Sequence, residues 1–288
     1  MFLRIIHVTR YDYSGPVTFA PHAIYLRPRE SPRQRLHRFE LSLSLPARRI
    51  ATADAEGNAL EWAYFDVGPS ATTLEFRAES LVETLDANPF DFFLKPSALG
   101  FPFAYDAAER SVLAPCLELP RGSEPAQLHS WVGTHLPTAP VNTVSYLSAL
   151  NSAVKAALRY TVREEAGIQT PSDTFASVCG SCRDYSVFFI ALCRSLGLAA
   201  RFVSGYLYEP PPPGSTAALS PALHAWAEVY LPGAGWRGLD PTHGMFCDDR
   251  WVPLAHSAIA ENVNPVQGTF YGAGVTSRME SRLTIDRA

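Results

Sequence analysis

The segment opened by Cys179-Gly180-Ser181-Cys182-Arg183-Asp184-Tyr185 allows this chain few folds. Between Arg183 and Leu196, residues Tyr185, Phe188, Phe189, Leu192 and Leu196 recur at helical spacing. Val187, Ile190 and Cys193 carry apolar character around the remaining surface. A helix apolar nearly all round belongs at the centre of a domain, covered by other elements. Gly197 supplies its C-terminal stop. Strand-like segments follow: Ala200–Tyr208, one through His224 and one through Asp240. This order predicts an α+β core in which a buried helix packs on an antiparallel sheet. The Pro-rich stretch Glu209–Pro221 cannot pair in that sheet and is expected to border a cleft or form a plain surface loop.

The first 85 residues have a different period. Phe39, Leu41, Leu43 and Leu45 alternate with polar neighbours, as do Leu74, Phe76, Ala78, Ser80 and Val82 with theirs. Leu3–Thr9, Val17–Arg27 and Ala59–Asp66 are further strand candidates, with turns expected at Ser14-Gly15-Pro16 and Glu56-Gly57-Asn58. Short strands with one polar face predict an antiparallel β-sandwich-like N-terminal domain, residues 1–85. Residues 86–122 read as an irregular connector rich in Pro and Phe. Residues 123–288 read as the α+β core, with Val144, Leu147, Leu150 and Val154 on one helix face and a final strand near Arg282–Asp286.

The chain's 288 residues carry a net charge of −4, which gives no reason to expect nucleic acid or an anionic membrane as partner. No membrane-spanning run and no secretory signal pattern are read. The five cysteines do not form an obvious disulfide framework and suit a reducing cytoplasm.

The chemistry concentrates on three residues. A thiol at a helix N-terminus is expected to ionise more readily, because the unpaired N–H groups favour negative charge. The N–H of Cys182 is also available to an oxyanion. Leu231-Pro232-Gly233-Ala234-Gly235 reads as a hairpin turn. Centred on residue 232, it sets position 224 opposite 240, 226 opposite 238 and 228 opposite 236. Asp240 can then orient the His224 imidazole, as the third member of a triad does. Trp226 shares the His224 face and is a candidate wall of an acyl pocket. Asp184, in the first helical turn, is a candidate for capping or for holding a substrate amide.

Three runs, Gly180-Ser181-Cys182-Arg183-Asp184-Tyr185, His224-Ala225-Trp226-Ala227-Glu228-Val229-Tyr230 and Asp240-Pro241-Thr242, together with the segment Arg194–Tyr206, resemble the bacterial transglutaminase-like proteins of the papain-like superfamily. Leu3–Tyr13 and Leu26-Arg27-Pro28-Arg29 look like the β-rich domain that often precedes that core, and the tail from Asn264 to Gly268 also fits. The resemblance implies a papain/transglutaminase-like core with Cys182 as nucleophile, His224 as base and then acid, and Asp240 as orienter. Tyr206, within the matching run, joins Trp226 and Asp184 as a candidate substrate contact. A peptide or protein acyl donor is implied, with no cofactor and no metal. Two positions depart from the pattern: Ser181 stands where Val is common, and Ala176 where a papain-type oxyanion Gln would be.

Cys179 and Cys182 also spell C-x-x-C. A dithiol redox site expects this motif after a strand in a βαβ unit, and has no need of a His/Asp pair. A structural zinc site wants a second ligand pair, for which His243 and Cys247 are the nearby residues, in no standard arrangement. Cys179 retains a role as a resolving thiol for Cys182. A binding module that kept the fold without the chemistry is the non-enzymatic alternative.

Overall fold

A computed structural model describes residues 1–66, 70–136, 141–163, 167–210 and 223–288. The Pro-rich segment lies almost wholly outside these, with only Glu209 and Pro210 described.

The C-terminal half is built around the helix Cys182–Ser195, which is buried along nearly its whole length, as its all-round apolar sequence requires. It packs chiefly on the strand Leu223–Leu231, through Ala225, Ala227, Val229 and Leu231. The sheet is antiparallel, in the order Met245–Phe246, Gly235–Asp240, Leu223–Leu231, Ala200–Leu207, Trp251–Ser257. Helices Pro125–His135 and Thr143–Ala157 cover the other flanks of the central helix, with Leu128, Trp131, Leu147 and Leu150 in the same core. The Trp251–Ser257 strand is absent from the sequence reading, because Pro253 and a register shift at Ser204/Gly205 break its alternation.

The N-terminal half has two antiparallel sheets. In one, Phe2–Phe19 runs beside Ala71–Thr84, which pairs with Gln34–Leu43. In the other, His22–Ile24 and Ala47–Ala53 flank Ala59–Phe65. The expected turn at Ser14-Gly15-Pro16 does not break the first strand; it appears as a register irregularity between Asp12 and Val17. The irregular connector holds a short helix, Ala107–Leu113, started by a reciprocal Asp106/Glu109 cap. Only Leu113 of it is buried, so it left no apolar period to read.

The C-terminal strand corrects the expected division of the chain. Ser277–Arg287 belongs to the N-terminal sheet, paired with the first strand from Leu3↔Arg287 to Tyr13↔Ser277. Val266–Gln267 likewise pairs with His22–Ile24. Both ends of the chain therefore close one sheet, which no local pattern announces. The two halves also share cores: Ala23, Tyr25 and Leu60 pack with the central helix, while Tyr206, Val252 and Leu254 pack with the N-terminal strands. Asn58 seals the join by exchanging two hydrogen bonds with the His256 backbone, at 2.8 and 2.9 Å. Among the described residues, no helix is long and apolar enough to cross a membrane.

Candidate active site

Cys182 is the first residue of the central helix, where backbone N–H groups lack intrahelical acceptors and point at the thiol's surroundings. Gly180 lets the chain reach this position: a Cβ there would stand 2.6 Å from Asp184 Cβ. Asp184 is a cap and not a substrate contact. It is 0% exposed, and its oxygens accept from Ser181 N and Oγ (both 2.8 Å), Gln169 N (2.7 Å) and Arg163 Nη1 (2.8 Å). These donors outweigh its burial and hold the carboxyl below its ordinary value.

The hairpin is centred one residue later than expected. Its loop is Pro232–Ala234, with Gly233 and Gly235 both at positive φ, and Leu231 pairs with Gly235 and Glu228 with Gly238. Position 224 thus lies two residues out of line with 240. Parity keeps both on one face, and a diagonal contact is within reach of a long side chain. His224 Nε2 donates to Asp240 Oδ2 at 2.6 Å, and the ring also lies close enough to Cys182 to be influenced by it. With Nε2 engaged by Asp240, Nδ1 is the nitrogen left for the sulfur. Burial alone disfavours the imidazolium, but Asp240 and Cys182 override it and push His224 up to about 10. Asp240, buried among donors, is driven down.

Asp240 is more heavily used than a triad requires. Its Oδ2 also accepts from His243 Nδ1 at 2.8 Å and Trp251 Nε1 at 3.0 Å, and its Oδ1 from Thr242 N at 2.8 Å and His243 N at 3.3 Å. Sequence reasoning weighed His243 only as a zinc ligand and did not consider Trp251. The turn Asp240-Pro241-Thr242-His243 was the available signal for the first, since an Asp commonly accepts from backbone two residues on. Trp251 comes from another strand and gave none. His224, Asp240 and His243 lie within 4.8 Å of one another and form a conceivable metal-ligand set. Both histidines contact Asp240 directly, so a cation would have to displace two hydrogen bonds.

Trp226 stands beside His224, ring centroids 6.3 Å apart and nearly parallel. It is buried with Val203, Leu207 and Trp251, a wall that steadies the imidazole from behind. Tyr206 is placed differently from the expectation. At 1% exposure it sits in the interdomain core, its hydroxyl hydrogen-bonded to His7 Nδ1 at 3.1 Å, out of reach of a substrate. Cys179 is half-buried in a two-residue parallel bridge with Arg159 and is a free thiol, like Cys182. Gly180 pairs with Tyr160, whose phenol feels the charges of Cys182 and Asp240 after burial and is raised.

A thiol at a helix start, beside an imidazole that a buried carboxylate orients, on this fold, defines a cysteine-nucleophile enzyme. The chain belongs to the bacterial transglutaminase-like proteins: residues 134–241 match the transglutaminase-like superfamily and residues 3–83 the bacterial transglutaminase-like N-terminal region. An uncharacterized protein of Mycobacterium tuberculosis (strain H37Rv) is 30% identical over 279 residues, 93% of this chain and 87% of its own. One from Mycobacterium leprae is 24% identical over 299 residues, 95% of each chain. A solved structure from Cytophaga hutchinsonii, described as a "putative cysteine protease", shares the fold with a TM-score of 0.71. It is 19% identical, over 99% of this chain and 90% of that one.

Proposed function

We propose that the protein hydrolyses amide bonds of a peptide or protein acyl donor through a thioester on Cys182. The observation that carries this is His224, hydrogen-bonded to Asp240 and placed beside Cys182. The thiolate adds to the acyl carbon, and the tetrahedral oxyanion meets the N–H of Cys182 at the helix start. The His224 imidazolium gives its proton to the departing amine, leaving the thioester. Neutral His224 then takes a proton from water as that water attacks, and the carboxylic acid leaves the sulfur. Asp240 holds the ring through both transfers.

Water is favoured as acceptor because it needs no binding site of its own. Cys182 itself is 9% exposed, Tyr160 is 49% exposed, and His243, on the far side of Asp240, is partly exposed. A transglutaminase reaction would need the thioester shielded from water. The description of the Cytophaga structure agrees with hydrolysis.

The test needs no known substrate. Iodoacetamide should alkylate Cys182 well below pH 8 in the native protein and only sluggishly in His224→Ala; sluggish labelling in both proteins would overturn the enzyme reading. Thioester adducts trapped from cell extract and exposed to a primary amine should release mainly the acid. A predominant amide product would make the protein a transglutaminase instead. We further propose that Cys179 protects the nucleophile reversibly. Mass spectrometry after mild peroxide should find a 179–182 disulfide, and its absence refutes that role.

A further inference from the structure

A cleft of about 620 Å³ lies between the catalytic sheet and the N-terminal half, within the size range of small-molecule sites. Among the described residues its lining includes none of Cys182, His224 and Asp240. It does include Trp226, Trp236 and Trp251, three of the five tryptophans in the chain. Two of these also touch the triad: Trp226 lies against the His224 ring, and Trp251 donates to Asp240.

Four arginines line the same space, and their carboxylate partners are too few. Arg29 and Arg201 share Glu228, with closest contacts of 2.5 and 2.6 Å. Arg29 Nη1 also donates to His256 Nδ1 at 2.8 Å, which fits a neutral ring: burial and the two arginines hold His256 down to about 4. Arg33 and Arg237 share Asp86 at 3.5 and 3.7 Å, longer than a good charged hydrogen bond. Of the other acids on the lining, Asp248 is taken by Arg250 at 2.8 Å, and Asp249 stands 4.0 Å from the N-terminal amine. That leaves Asp91, exposed at the rim, and one guanidinium in excess.

The guanidiniums are also held in place. Arg201 lies over the Trp236 ring at 4.0 Å and Arg237 over Phe92 at 4.3 Å, contacts that fix their planes and leave the N–H edges to bind. Arg237 Nε is buried with no acceptor among the described residues. Buried polar atoms are almost always partnered, and Arg237 belongs to this lining.

We propose that this cleft binds a small organic carboxylate, its charged head between Arg33 and Arg237 and its apolar or planar body against the tryptophans. A planar carboxylate matches the forked donors of two arginines, and one negative charge matches the excess. Aromatic walls favour a ligand with a body over a bare inorganic ion. The site is separate from the nucleophile but shares Trp226 and Trp251 with its supports, so an occupant would steady the triad.

The test uses the full chain as Cys182→Ala, so that its outcome is independent of the acyl-transfer reading. Benzoate, indole-3-acetate and hexanoate are titrated with tryptophan fluorescence and calorimetry as readouts. At least one should saturate by roughly 10 mM, and bind tenfold or more tighter than inorganic phosphate or benzyl alcohol. Arg33→Gln, which also gives up the hydrogen bond from Arg33 Nη2 to the Trp236 carbonyl at 2.6 Å and is therefore checked for folding by thermal melting, should weaken that binding at least tenfold, as should Arg237→Gln. The proposal is overturned if no carboxylate saturates, if phosphate binds as tightly, or if Arg33→Gln binds unchanged.

Discussion

Asp240→Asn tests the site most sharply, because an amide cannot satisfy the pocket in either orientation. The carboxylate only accepts: three side-chain donors converge on Oδ2 and two backbone N–H groups on Oδ1. An amide must turn its own N–H groups against one of these sets. With NH₂ toward Thr242 and His243, two hydrogen bonds to a charged acceptor are lost, at about 1.5–3 kcal/mol each. The larger effect falls on His224. Its pKa is raised from 6.5 to about 10 by Asp240 and Cys182 against the pull of burial. The stabilisation this brings is fully present below 6.5 and is lost as pH rises through about 10. Without the carboxylate, burial dominates and His224 is neutral at pH 7, so the sulfur loses its neighbouring cation. A loss of about 3 kcal/mol corresponds to a fall of roughly 100-fold in the alkylation rate at pH 6. The assay is the second-order rate of Cys182 alkylation by iodoacetamide across pH 5 to 10.5, alongside thermal melting. The variant should alkylate about 100-fold more slowly at pH 6 and lose the upper feature near pH 10. A rate within about threefold of the native protein, with melting unchanged, would refute the argument.

His243→Ala removes one of three donors to Oδ2 at a partly exposed position, and should slow alkylation at pH 6 by about three- to tenfold, without unfolding the protein. An effect as large as that of Asp240→Asn would show that His243 does more than orient the carboxylate. Tyr206→Phe should cost about 1 kcal/mol of stability, by leaving His7 Nδ1 short of a partner, and should leave the alkylation profile as it was. If it changed the profile and left stability intact, Tyr206 would belong to the site after all.

How far the site was readable varies from residue to residue. Cys182 was legible because Gly180, Ser181 and an apolar helix mark a tight turn into a buried helix. The His224–Asp240 pairing was legible for a less secure reason. The hairpin centre was off by one residue, but such a shift moves the register by two, and strand alternation returned both side chains to one face. Asp184 could be read two ways until its oxygens were seen to be fully occupied. Tyr206 was misread because its strand passes from the catalytic core into the N-terminal core, and a run of residues carries no mark of that crossing.

The sequence by itself determined the central helix, the strands that follow it and which Cys, His and Asp are the candidates for the triad. These depend on local periodicity and turn chemistry, which act over a few residues. Tertiary structure alone decided that both chain ends close one sheet, that Trp251 and His243 converge on Asp240, and that four arginines and three tryptophans share a cleft. Those contacts join residues far apart along the chain, and are fixed by how buried faces pack together.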